Sequence, residues 1–283
     1  MSLIILKNHF RDRDTIIYNN HVLNRHTFMD MSNRSNKYIS SVFGISHDVW
    51  QKAVDAIKLG RGDTSSSEDL ATFACRYCHQ VENSPLMRQI VLNSGNGNEI
   101  YRYCSEVSND EDMRLALINT NNPEAVYNYL EHFFFDLTDE QKNELRQAIL
   151  KSKNAQWAYR YCRGINKDEQ MRQIIIEGND PEWQWHYCRR VANDEDMRQK
   201  ILDSLSPKWA FHYCDSVSND SDMRQVILNA RDPRWACWYC EKVSDDPDMR
   251  QIILDSGDEF WAVQYCQYVS DDEDMRQIAN SHV

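Results

Sequence analysis

Glycine and proline are scarce in this chain, 8 and 6 among 283 residues, too few for the turns of an all-β sandwich or for a glycine-rich phosphate cradle. Long apolar runs are missing as well. Leu3-Ile4-Ile5-Leu6 falls far short of a signal-peptide core or a membrane span, and no later stretch comes near one. A cytoplasmic protein without membrane association is expected. Positive charge is in deficit: 32 Lys+Arg against 44 Asp+Glu give a net charge of −12, which argues against a general nucleic-acid coat or membrane-surface binder. The sequence also has no Walker loop, no GxGxxG, no HExxH and no Ser/His/Asp set in an activating context. It is therefore expected not to be an enzyme, with no catalytic residue, cofactor or metal.

What the chain does have is apolar content, 41% with 8 Trp, 14 Tyr and 9 Phe, and a strict internal period. Trp157, Trp183, Trp209, Trp235 and Trp261 recur every 26 residues, as do Cys162, Cys188, Cys214, Cys240 and Cys266, and Met171, Met197, Met223, Met249 and Met275. Cys78 and Cys104, and Met87 and Met113, extend the register backwards. Between Met113 and its counterpart Leu145 the spacing is 32, so this unit carries six extra residues at about 131–140. Eight units result: 73–98, 99–124, 125–156, 157–182, 183–208, 209–234, 235–260 and a short 261–283.

Capping residues divide each unit into two helices. Three residues before the tryptophan place stand Asn96, Asn122, Asn154, Asp180, Ser206, Asp232 and Asp258. Three before the methionine place stand Ser84, Asp110, Asp168, Asp194, Asp220, Asp246 and Asp272, with Lys142 as the exception in the inserted unit. All but Lys142 can accept hydrogen bonds from the free amides of a helix start. All six prolines follow such a cap by one residue, where a missing N–H costs nothing. At about 100° per residue, Trp235, Ala236, Tyr239, Cys240 and Val243 form one apolar arc that must be buried, and Met249, Ile252, Ile253 and Leu254 form another. Helices this short are marginal alone, so the hairpins must stack. The expected fold is all-α, a right-handed α-solenoid of eight 26-residue helical hairpins over 73–283.

The repeat core, as in Trp209-Ala210-Phe211-His212-Tyr213-Cys214, resembles the tandem W-A-x-x-Y repeats of bacteriophage and bacterial proteins of unassigned function, within the wider tetratricopeptide-like and HEAT-like class. The resemblance covers about residues 73–283. It implies a helical-hairpin fold and a phage or bacterial origin, and carries no catalytic residue across.

Residues 1–72 lie outside the repeat. They hold 9 Lys+Arg and 8 Asp+Glu, so the acidity belongs to the repeats. Residues 1–62 are expected to form a small N-terminal cap element, α+β in character. Leu3–Leu6 and Thr15–Tyr18 read as strands, and 47–59 reads as a helix ending at Gly60. The stretch 63–72 is a linker, with Gly62-Asp63-Thr64-Ser65-Ser66-Ser67 its most linker-like part.

Several surface features are candidate binding elements. Arg172, Arg198, Arg224 and Arg250, with their counterparts in the other units, follow the methionine within the apolar arc. Their stems must be partly buried, and the repeat tyrosines (Tyr161, Tyr187, Tyr213, Tyr239) and the capping aspartates are the candidate partners of a structural ladder. The first-helix positions that vary between units form a stripe for a partner: Arg76, Arg102, Arg160, Arg163, His186, Arg189, Arg190, His212, Trp238, Lys242 and Tyr268. Acids cluster once per unit at the hairpin turn, among them Asp110, Glu111, Asp112, Asp194, Glu195, Asp196, Asp245, Asp246, Asp271 and Asp272. Stacking would align them as an acidic ridge able to meet a basic surface or imitate a phosphate backbone.

The inserted Phe133-Phe134-Phe135 cannot all be buried in one short helix and suggests a docking knob. Seven of the nine cysteines sit at one buried repeat position. The C-x-x-C pairs Cys75/Cys78 and Cys237/Cys240 read as packing rather than as zinc or redox sites. The expectation is a non-enzymatic solenoid that binds another protein, with a host protein of basic or mixed surface blocked by a phage-encoded inhibitor or decoy as its specific form. The alternative is a nucleic-acid-directed module, either an acidic phosphate mimic or a strand binder acting through the Arg/His stripe. Self-association through the C-terminal repeat is a further expectation.

Overall fold

The computed structural model describes residues 4–6, 15–18, 21–24, 70–80 and 83–280. The helix expected over 47–59 and the linker at 63–72 lie outside the described residues, apart from the residues from 70 onward, which are helical. The chain divides into two compact units, residues 1–120 and 121–283.

In the first unit, β1 (Ile4–Leu6), β2 (Thr15–Tyr18) and β3 (His21–Asn24) form an antiparallel sheet in that order. Ile4 stands opposite Ile17, and Ile16 opposite Leu23. The sequence predicts the first two strands. The third, with only two apolar residues in His21–Asn24, carries too short an apolar pattern to be read as a strand. Two hairpins follow, α1 (Leu70–Gln80) with α2 (Pro85–Asn93) and α3 (Gly97–Glu106) with α4 (Glu111–Ile118).

The second unit holds six hairpins. They pair α5 (Pro123–His132) with α6 (Asp139–Ser152), α7 (Ala155–Gly164) with α8 (Glu169–Glu177), and α9 (Pro181–Arg190) with α10 (Glu195–Asp203). Then come α11 (Pro207–Ser216) with α12 (Ser221–Ala230), α13 (Pro233–Lys242) with α14 (Pro247–Ser256), and α15 (Glu259–Tyr268) with α16 (Glu273–Ala279). Within each unit first helices pack on first helices and second on second. In each unit the repeats are stacked helical hairpins, the arrangement of an all-α solenoid.

Every expected cap residue sits at an N-cap, and most accept a backbone N–H through the side chain, as Asp246 does from Asp248 and Met249. Six helices begin on a proline. The inserted unit is the exception foreseen at Lys142. There the cap is Thr138, in a capping box with Gln141, and α6 gains about one turn at its start.

The core alternates between the two helix rows. Met171, Met197, Met223 and Met249 are fully buried, together with Ile175, Ile201, Ile227 and Ile253 one turn on. Ala236, Tyr239 and Cys240 face them from a first helix, but Val243 is only half-buried because it is the C-cap, where the helical arc has already ended. Ile252 and Leu254 are likewise half-buried.

Each hairpin joins the next through one residue in the left-handed region: Gly95, Asn121, Lys153, Asn179, Leu205, Arg231 and Gly257. These positions follow the same 26- and 32-residue register as the caps.

Candidate functional site

Arg88, Arg172, Arg198, Arg224 and Arg250, which follow repeat methionines, point along the stack to the second helix of the following hairpin, whereas Arg114 pairs with Glu111 of its own helix. Arg172 donates from Nε and Nη2 to the two carboxylate oxygens of Asp194 at 2.6 and 2.8 Å, and Nη2 also reaches Asp196. Arg198 repeats this on Asp220 and Asp222, Arg224 on Asp246 and Asp248, and Arg250 on Asp272 and Asp274. In the first unit Arg88 holds Asp110 and Asp112. The capping aspartate therefore has two tasks: it closes its own helix start and accepts a bidentate guanidinium from the previous hairpin. The hydrogen bond from Arg224 holds the Asp246 carboxyl below the usual carboxylate value against the opposing cost of burial, and Arg250 does the same to Asp272.

The tyrosines serve a different contact from the one expected. Tyr213 donates to Asn193 Oδ1 and Tyr239 to Asn219 Oδ1, each at 2.7 Å, and Tyr265 donates to Asp245 Oδ1 at 2.7 Å. The acceptor is the residue just before the preceding hairpin's cap. Lys167 stands at that place before Tyr187 and has no acceptor to offer; burial pushes the Tyr187 phenol up to about 12.

The acidic ridge is thus largely the other half of the arginine ladder. Asp110, Asp194, Asp246 and Asp272 bind arginine from the preceding hairpin, as do Asp112 and Asp196. Glu111 and Glu195 pair with the arginine three residues on, Arg114 and Arg198. Asp271 pairs with Arg276, and Asp245 accepts the Tyr265 hydroxyl.

First helices show the opposite balance. Arg160 lies over the Trp157 ring at 4.6 Å, Arg189 over Trp185 at 5.3 Å and Lys208 over Trp209 at 4.2 Å. Arg163 and Arg190 are exposed beside them. None of these five cations forms an ion pair among the described residues. Lys242 pairs with Glu241, and Arg102 with Glu99 and Glu106. Arg76, His186, His212 and Trp238 are half-buried, and Tyr268 is exposed.

Between the cations runs a seam of rings that the spacing argument missed, carried by the residue two after the tryptophan place. Tyr159 meets Trp183 at 5.8 Å, Trp185 meets Trp209 at 5.6 Å and Phe211 meets Trp235 at 5.8 Å, each ring packing on the tryptophan of the following hairpin. His186 and His212 are wedged into the seam against Trp185, at 4.5 and 5.2 Å, and burial lowers both imidazole pKa values. The signal was present in the sequence as aromatics at one place in consecutive units, Tyr127, Tyr159, Trp185 and Phe211.

In the insertion, Phe133 and Phe134 are half-buried and Phe135 is 96% exposed. Lys142 covers the Phe134 ring at 4.5 Å. No disulfide joins the cysteines among the described residues; Sγ of Cys188, Cys214 and Cys240 donates to the carbonyl of the capping aspartate at 3.7 Å. Burial pushes the Cys240 thiol up to about 12. Among the described residues no cluster of three or more His, Cys, Asp or Glu is placed to hold a metal ion, and no helix is long and apolar enough to cross a membrane.

No protein-family model matches the chain, and no curated protein or solved structure matches it.

Proposed function

We propose that this protein is a non-enzymatic binding scaffold whose first-helix face, over α7, α9 and α11, takes an anionic and partly apolar surface of another protein. The observation that carries this reading is the contrast between the two helix rows. In a chain of net charge −12, arginines at the repeat place of the second helices bind carboxylates, while Arg160, Arg163, Arg189, Arg190 and Lys208 form no ion pair among the described residues. Charged groups without an ion pair, lying over the rings of buried Trp157 and Trp185 and half-buried Trp209, are what interface hot spots are made of. Engagement of the ridge carboxylates by arginine reduces what the ridge can offer a basic surface, so the partner's sign is negative rather than basic. Phe135 adds an apolar knob. Given the resemblance to W-A-x-x-Y repeats of bacteriophage and bacterial proteins, the role takes the form of an inhibitor or decoy occupying a host protein.

Affinity capture from the native host, with and without nuclease, supplies the partner. Reversing Arg160, Arg163, Arg189 and Arg190 to Glu should then abolish binding while leaving the thermal midpoint nearly unchanged. Neutralising Asp196 and Asp248 to Asn should weaken binding little. Unchanged affinity in the charge-reversed protein would sink the proposal. Unpaired cations on tryptophan faces also suit a single strand of nucleic acid; a captured partner lost on nuclease or at high salt would favour that second reading.

A further inference from the structure

In the second unit, His186 and His212 hold the same place in consecutive first helices, three residues after the tryptophan place, with Arg160 before them and Trp238 and Gln264 after. Both imidazoles are set among aromatic faces. His186 lies 5.5 Å from Tyr159 and 5.4 Å from Trp183, and His212 lies 5.5 Å from Trp209 and 5.4 Å from Phe211, while Trp185 touches both. No hydrogen bond holds either ring among the described residues.

Cations crowd these rings. His186 faces Arg189 and Arg190 of its own helix and Arg163 of α7, with Glu182 Oε1 standing 4.0 Å from its Nε2 as the opposing charge. His212 faces Lys208 of its own helix and Arg189 and His186 of α9, opposed by Asp215. From α13, Trp235 meets His212 at 6.4 Å, and the Arg234 that lies over that indole is paired with Asp232. Burial, joined by repulsion from Arg163, Arg189, Arg190 and Lys208, lowers both imidazole pKa values, so the rings stay neutral near neutral pH.

We propose that the first-helix face binds its acidic partner together with protons, taken up by His186 and His212, so that capture strengthens as pH falls. The coupling rests on that face being the site for an anionic surface. Anionic groups that settle on Arg163, Arg189, Arg190 and Lys208 cancel the repulsion and place negative charge beside the two rings. Each imidazole then gains a proton at its free ring nitrogen, and the indoles of Trp183, Trp185 and Trp209 stabilise the imidazolium. Contact also removes water from the rings, which disfavours their charge, but both are already half-buried, so the new charges decide the sign. By linkage, a proton taken up on binding makes binding tighter at lower pH. The place does not itself require an imidazole, since Trp238 and Gln264 fill it in α13 and α15.

The probe is a labelled peptide alternating sulfotyrosine and glycine, blocked at both ends, which is anionic and partly apolar and carries no group that titrates near neutral pH. Its affinity for the full chain is measured by fluorescence anisotropy at about pH 5.5 and about pH 8, and its proton uptake by calorimetry in buffers of different ionisation heat. Binding at the lower pH should be tighter by about threefold or more, with net proton uptake. His186→Phe with His212→Phe, and separately His186→Gln with His212→Gln, should abolish the uptake and level the two affinities while leaving binding at the higher pH nearly unchanged.

Imidazole resonances of the unsubstituted protein, titrated with and without saturating probe, test the coupling without any variant. Two histidines should move to higher pKa when the probe is bound. Equal affinity at both pH values with unmoved histidines, or a pH dependence that persists in both histidine variants, would overturn the coupling and leave the face standing. No binding at either pH, or binding indifferent to Arg163→Glu with Arg189→Glu, would overturn the face itself and the coupling with it.

Discussion

At the scale of single residues, the left-handed position between hairpins separates what the backbone requires from what the side chain supplies. Leu205 adopts φ +50° and is 74% exposed, so its side chain contributes little packing while its Cβ is held in a region that costs an L-residue about 1–2 kcal/mol. Gly257 occupies the same place in the register at φ +62°, with nothing within 4 Å of where a Cβ would stand. The two sites should respond in opposite directions. Leu205→Gly should raise the unfolding free energy by about 0.5–1 kcal/mol, the relief of strain being partly offset by the greater freedom of glycine in the unfolded chain. Gly257→Ala should lower it by a similar amount. Thermal midpoints of the two variants check this, and a fall for Leu205→Gly would show that its exposed side chain stabilises something other than its own backbone.

At the scale of the helix and hairpin, a cap is worth as much as the partners that use it. Asp246 accepts the amides of Asp248 and Met249 and both donors of Arg224, and is 8% exposed. Ser206 is also an N-cap, but its side chain accepts no amide. Asp246→Ala should therefore lower stability by about 2–4 kcal/mol, from the lost cap and the arginine left without its bidentate partner. Ser206→Ala should cost less than about 0.5 kcal/mol. Denaturant midpoints of both variants in the full chain give the comparison, and equal losses would mean that the ladder adds nothing to the cap.

The same elements show how much the sequence discloses. Caps, prolines and period fix the helices in both units, because each of those signals is a local backbone requirement repeated many times. The arginine was readable as half-buried from its helical angle alone. Its choice of aspartate over tyrosine was not, because tyrosine and aspartate lie in the same angular sector and only the offset between stacked hairpins decides which one the guanidinium meets. The ring seam was overlooked for a related reason: Tyr159, Trp185 and Phe211 differ in identity, and only stacking reveals that they fill one role. The unpaired cations of α7 and α9 were legible as a varying stripe. Their contrast with the second helices needed the ion pairs themselves.

At the scale of the molecule, stability in a stacked array is close to a sum of hairpin terms and neighbour terms, so a titration repeated in most hairpins acts many times over. Two such series run in opposite directions. The capping carboxylates Asp110, Asp168, Asp194, Asp220, Asp246 and Asp272 are all held below the usual value. In Asp246 and Asp272 the arginine hydrogen bond is the largest cause, and in the other four burial opposes a shift that the arginine and the backbone amides together win. A depressed carboxyl favours the fold above the unfolded value, about 4, and loses that contribution as pH falls through the folded value. The buried thiols behave oppositely. Burial raises Cys162, Cys188 and Cys214 to about 11, and Cys75, Cys104 and Cys240 to about 12. A raised thiol favours the fold fully below the unfolded value, about 8.5, and its contribution is lost progressively above that until the folded value is passed. Thermal midpoints followed by far-ultraviolet circular dichroism should thus be highest between about pH 6.5 and 8.5 and fall on both sides, with His186 and His212, whose pKa values burial lowers, adding to the acid limb. Replacing Cys162, Cys188, Cys214 and Cys240 by Ala should lower the plateau slightly and flatten only the alkaline limb, since no thiol takes part in the acid one. Thiolate absorbance appearing in the native protein near pH 9, without loss of helix, would show that the cysteines are not buried as the stack requires.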